Sequence, residues 1–252
     1  MSGDEAVTLF YQPGCSSCLR TKEFLAARKV PFRAVDVLND PNGMAELRAL
    51  GVMKVPVVSK GKRWAFGVYL DKVSELVGIE YGAKRRLSPE ELYGRLDRIL
   101  GAARSYIELV PEDKLKVTIP KRETRDIRDL SYHIFAVPVD FIEALDGAEY
   151  TQATAHVPDS IRGRGDLLAY ADSVRRRTAD WYKSQAPASW SRIFKTMWGD
   201  QTIHEVFERT TWHSGQHTRQ LIAMLEMIGR PAPSPLTNAD FAGLPMPERL
   251  WD

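Results

Sequence analysis

Cysteine is scarce in this chain, with two among 252 residues, and histidine occurs only five times. Two cysteines three positions apart, Cys15 and Cys18, cannot build a disulfide framework or a four-cysteine zinc site. An excess of charge is lacking too: 35 Lys and Arg against 33 Asp and Glu leave a net charge of +2. So small a balance implies no nucleic-acid partner, and the local run Arg175-Arg176-Arg177 reads as a solvated helix face. No apolar stretch reaches the roughly 20 residues that cross a bilayer. Met1 to Ala6 is polar and acidic, unlike a secretory signal. These absences predict a cytoplasmic protein with no membrane partner. In a reducing compartment a lone pair of close cysteines is expected to be catalytic.

What is present is ordinary globular composition, 44% hydrophobic and 27% charged, in a chain longer than the usual domain of about 100 to 150 residues. Two domains are the expectation. The first 80 or so residues alternate strand and helix signals. Val7 to Tyr11, Pro31 to Val37 and Val55 to Val58 read as strands, and Ser16 to Arg28, Asn42 to Leu50 and Lys72 to Val77 as helices. That order predicts an α/β mixed sheet covered by helices.

Residues 83–87 are short, basic and without apolar periodicity, and read as a linker between a first domain over 1–82 and a second over 88–230. Ser88-Pro89-Glu90-Glu91 then supplies an N-cap, a proline at the first helical position and a glutamate at the third, which predicts a capping box and a helix running to about Val110. Three more amphipathic patterns follow, at about Thr124 to Asp146, Asp166 to Ser184 and Thr202 to Ile228. Four helices make an all-α antiparallel bundle. Ser189 to Trp198 can be extended, and the proline-rich stretch 231–252 reads as an irregular arm.

Cys15-Ser16-Ser17-Cys18 follows a strand and opens a helix, where partial positive charge favours a thiolate at Cys15. Cys15 is therefore the candidate nucleophile. Cys18, one turn on, is placed to attack a mixed disulfide formed there. Half of a zinc site is the alternative, but no histidine precedes His133. The stretch from Tyr11 to Cys18, Thr21-Lys22 and the Val55-Pro56 pair resemble the glutaredoxin family over roughly Val7 to Ile79. The resemblance implies a thioredoxin fold, a cis-proline at Pro56 and a substrate-binding backbone at Val55 and Pro56. It also implies glutathione or another low-molecular-weight thiol as cosubstrate. Lys54 stands where the family commonly has threonine, and Phe66-Gly67-Val68-Tyr69 replaces its Gly-Gly stretch, so dithiol chemistry carries over while glutathione recognition does not follow.

His213 and His217 lie four apart, on one helical face with Val206, Thr210, Leu221, Met224 and Ile228. Buried imidazoles without partners cost a few kcal/mol each, roughly, and a shared ion removes that cost. His133 sits on a second apolar stripe with Leu130, Val137 and Phe141 and can supply a third ligand. His204 is on the opposite side of its helix and His156 is in a loop, so both read as bystanders. Asp129-Leu130-Ser131-Tyr132-His133 and the segment from Trp212 to Leu221 resemble the DinB superfamily over about Pro89 to Pro231. The resemblance implies a four-helix bundle binding one divalent ion, Zn, Ni, Fe or Mn, through His133, His213 and His217. Several members are similar to thiol transferases that use a low-molecular-weight thiol. Trp212, Gln216 and Arg219 read as packing residues, and no general base is assigned.

The favoured expectation is a metal-dependent thiol transferase fused to a dithiol module, acting on a small-molecule thiol and an electrophile or disulfide. A redox-regulated metal or small-ligand sensor, without turnover, is the alternative, and a third reading makes the bundle a docking platform. A homodimer is compatible with the sequence, which does not specify oligomeric state.

Overall fold

The computed structural model describes residues 5–82, 85–120, 122–148, 150 and 156–251. The chain divides into two compact units, one of residues 1–84 with 247–252 and one of residues 85–246. Of the expected linker, residues 83 and 84 lie outside the described residues, and Leu87 is buried.

In the first unit, strands β1 (Val7–Tyr11), β2 (Phe32–Asp36), β3 (Val57–Lys60) and β4 (Arg63–Phe66) form one sheet in the order β2-β1-β3-β4. Strand β1 pairs parallel with β2 and antiparallel with β3, which pairs antiparallel with β4. Alternation along the strands splits the core into two layers. Val7, Leu9 and Val58 face Phe24 and Leu25 of α1 (Ser16–Ala27) and Leu70 and Val73 of α3 (Leu70–Val77). Phe10, Val35 and Val57 face Leu47 of α2 (Gly43–Ala49). Strand β4 was not expected from the sequence. Its signal is the tight turn at Gly61, which has φ +60° and joins the paired residues Lys60 and Arg63.

The second unit holds four long helices: α4 (Pro89–Leu109), α5 (Ile127–Leu145), α6 (Arg164–Lys183) and α7 (Ile203–Met227). Helix α7 packs on α4 and α5, and α6 packs on the same two, so α6 and α7 stand diagonally across the bundle. Consecutive helices α4 and α5 are joined through the hairpin β5 (Thr118–Ile119) and β6 (Arg122–Asp126), and α6 and α7 through β7 (Ile193–Thr196) and β8 (Gly199–Thr202). The α5 pattern was expected to begin at Thr124. It begins at Ile127 because Asp126 caps it: its Oδ1 accepts from Asp129 N at 2.8 Å, while Asp129 Oδ2 accepts from Asp126 N at 3.2 Å. Ser88 and Glu91 form the expected box at the start of α4. Of the expected extended stretch, Pro187–Ser191 is a 3-10 turn and Ile193–Thr196 is strand β7. The tail expected as one arm divides, with residues 247–252 in the first unit.

Among the described residues, no helix is long and apolar enough to cross a membrane.

Candidate functional site

In the first unit, Cys15 is the N-cap of α1, and its Sγ accepts a hydrogen bond from Cys18 N at 3.2 Å. The two sulfurs are joined as a disulfide, with Cα atoms 5.2 Å apart. Cys18 is fully buried, whereas Cys15 is only half-buried. The Val55–Pro56 peptide is cis, as the resemblance implied. Pro56 O accepts from Gly67 N at 2.8 Å, and the Thr21 hydroxyl lies 2.8 Å from Ser17 O and 2.9 Å from Gly67 O, sharing its proton between them. A Cβ at Gly67 would come within 2.6 Å of Thr21 Oγ1 and 2.9 Å of Pro56 Cβ. Glycine is thus required where the strand pair closes on the dithiol helix. Lys54 and Met53, just before the cis bond, are exposed.

In the second unit, α7 is buried around its whole circumference from Arg209 to Thr218, rather than along one stripe. Small residues permit this. A Cβ at Gly215 would already be 3.2 Å from Ile99 Cδ1 of α4, and Ser214 Oγ donates to Ile134 O of α5 at 3.0 Å. Helices α5 and α7 run antiparallel, since Phe141 meets Phe207 with centroids 5.7 Å apart while His133 meets His213 and His217 at 5.5 and 4.8 Å. All three histidines are buried, and one ring nitrogen of each lies within 4.8 Å of the others. Nitrogen ligands sharing one ion stand roughly 3 to 3.5 Å apart, little closer than this spacing.

Two observations fit these rings to a metal. His213 Nδ1 is buried and makes no hydrogen bond. Burial, then the neighbouring His217 and His133 rings, then the charges of Arg209 and Arg125 push the His213 pKa well down, so the ring is neutral with a lone pair to give. His217 is also oriented, because Gln220 Oε1 lies 2.7 Å from its Nδ1. The amide oxygen accepts, which puts the proton on Nδ1 and the lone pair on Nε2.

The remaining histidines are elsewhere. His204 Nε2 lies 2.8 Å from Leu87 O, and His156 is exposed in a bend. Sequence reasoning assigned no role to Gln220, Arg209 or Arg125. Gln220 follows His217 by three residues and Arg209 precedes His213 by four, so helical spacing could have found both. Nothing local marks Arg125.

A family model described as Glutaredoxin matches residues 7–64, and one described as DinB superfamily matches residues 95–221. None of the curated proteins is similar enough to match. Among solved structures, YfiT from Bacillus subtilis, described as a probable metal-dependent hydrolase with an unusual four-helix bundle topology, is similar at 14% identity. The likeness covers 60% of this chain and 95% of that one, with a TM-score of 0.48. With the DinB model spanning half of its length behind a glutaredoxin domain, the chain belongs to the DinB superfamily.

Proposed function

We propose that this chain is a thiol enzyme in which the helical domain is a metal-dependent thiol transferase and the N-terminal domain carries out thiol-disulfide exchange. The observation that carries the reading is the convergence of His133, His213 and His217, whose buried ring nitrogens lie in the same chain as a Cys15–Cys18 dithiol. Three neutral imidazoles would hold one divalent ion and leave positions open, the pattern of catalytic rather than structural sites. Such an ion supplies positive charge that lowers the pKa of a thiol set against it and so raises its nucleophilicity toward an electrophile. The chain's residues hold the arrangement: Gln220 fixes the His217 tautomer, and the packing of α5 on α7 brings His133 to the pair.

In the reduced N-terminal domain, the Cys15 thiolate attacks one sulfur of a small-molecule disulfide and expels the other as a thiolate. Cys18 then attacks Cys15 Sγ, releasing the second thiolate and leaving the Cys15–Cys18 disulfide. Two electrons pass to the substrate, and two molecules of a low-molecular-weight thiol return them by exchange at Cys15, leaving as their own disulfide. Half-buried Val55, just before the cis bond, offers its backbone groups to the substrate, while Pro56, whose carbonyl is taken by Gly67 N, shapes that edge.

The test is turnover of 1-chloro-2,4-dinitrobenzene with a panel of low-molecular-weight thiols, glutathione included. Thiol conjugation that disappears on chelation and returns with one of zinc, nickel, iron or manganese is expected. Metal-independent turnover, or none with any thiol, defeats the transferase reading and leaves the sensor.

A further inference from the structure

A fully buried hydroxyl stands next to the histidine pair without a hydrogen bond. Thr210 precedes His213 by three residues and His217 by seven, so all three share one face of α7. At that spacing the Cβ atoms of Thr210 and His213 are about 5 to 6 Å apart. Side chains on a helix lean toward its N-terminus, which tips both imidazoles toward the Thr210 end of the stripe. Thr210 Oγ1 bonds to nothing, and His213 Nδ1, one turn on, is likewise buried and unbonded.

A threonine inside a helix has a ready partner in the carbonyl four residues earlier. The other buried helical threonines among the described residues use it: Thr21 reaches Ser17 O at 2.8 Å, Thr178 Val174 O at 2.8 Å, Thr211 Phe207 O at 2.9 Å and Thr218 Ser214 O at 2.8 Å. Two of these belong to α7 itself, so that helix permits the bond, yet Thr210 does not make it to Val206 O. Valine has the same shape and no hydroxyl to desolvate, whereas a buried hydroxyl without a partner is destabilising. A partner that arrives with the ligand accounts for the group. We propose that Thr210 is a substrate-binding residue of the histidine triad, its hydroxyl donating a hydrogen bond to the sulfur of the small-molecule thiol handled there. A donor at the sulfur favours thiolate over thiol, the released proton passing to solvent. This inference rests on the metal-dependent thiol transferase reading and adds to it a second group that acts on the thiol itself.

The test uses the full-length chain with Cys15→Ser and Cys18→Ser as parent, so that an added thiol brings the only thiol sulfur. The parent is loaded with cobalt(II) and titrated with 2-mercaptoethanol while the sulfur-to-cobalt charge-transfer absorption is followed, and cobalt content and melting temperature are measured alongside. Thr210→Val should weaken the thiol about tenfold, with cobalt content and melting temperature no lower than the parent's, because no hydrogen bond of the thiol-free protein is lost. Thr210→Ser should restore the parent's affinity, and Thr210→Ala takes the place of the valine variant if that does not fold. Parent-like thiol affinity without the hydroxyl, or a loss that serine does not restore, overturns the inference and leaves the metal reading intact. A parent that takes up no cobalt sinks the metal reading and this inference with it, and cobalt uptake without a thiol band defeats the inference and the transferase reading but not the metal site.

Discussion

Exposure and hydrogen bonding divide the labour between the two cysteines. Cys15, half-buried at a helix N-terminus, is open to a substrate sulfur, and Cys18, fully buried, reaches only Cys15. Cys15→Ser should therefore lose disulfide reductase activity, whereas Cys18→Ser should accumulate a mixed disulfide at Cys15 that mass spectrometry detects. Faster alkylation of Cys18 than of Cys15 in the reduced protein at neutral pH would reverse the assignment. At the triad, alanine at His133, His213 or His217 should remove most bound metal, while His204→Ala, whose ring meets Leu87 O, should keep it. Gln220→Ala frees the His217 tautomer and should weaken zinc about 10- to 100-fold in a competition assay with a chelating dye. Wild-type affinity would mean that Gln220 only packs.

Among elements, the helix start with a complete capping box at α4 was the most legible, because capping is decided within four residues. Ser88 with Glu91 could be read directly, and Thr202 with Glu205 repeats the device at α7. These boxes also set an acid limit. Hydrogen bonds from Arg85 and Ser88 hold the Glu91 carboxyl down at about 2. Burial pushes Glu205 up, but hydrogen bonds from Thr202 and the Arg86 charge outweigh it and leave that carboxyl lowered. Depressed carboxylates contribute stability that is complete above their unfolded pKa, near 4.5, and is lost as pH falls through the folded value. Thermal unfolding followed from pH 6 to pH 2, roughly, should lose stability over this window, and Glu91→Gln with Glu205→Gln should flatten the decline. An unchanged slope would show that the boxes do not set it. The hairpins were barely legible: only β7 falls in a stretch read as extended, because β5 to β8 are two to five residues long and carry no sustained apolar alternation to mark a strand. Gly67 belongs to this scale as well. Gly67→Ala forces Thr21 and Pro56 apart and should cost about 1–3 kcal/mol in denaturant unfolding.

For the whole molecule, the chain passes between its two units twice, at 84–85 and again at 246–247. The last residues are part of the first unit: Glu23 of α1 accepts hydrogen bonds from Glu248 N at 2.6 Å and Arg249 N at 2.9 Å. Deleting residues 247–252 should therefore destabilise the dithiol unit by about 1 kcal/mol, read by calorimetry of the full-length and shortened proteins. An unchanged unfolding transition for that unit would make the tail contact incidental. The sequence by itself determined what depends on neighbours three or four residues away: the dithiol at a helix start, the shared face of His213 and His217, and the caps. Its apolar stripes also marked His133 as inward. Only the tertiary structure decided that α5 runs antiparallel beside α7 so that His133 meets the pair, and that the tail closes on α1. Those contacts join residues from tens to more than two hundred positions apart, so they follow from how whole elements pack and leave no periodic trace in the chain.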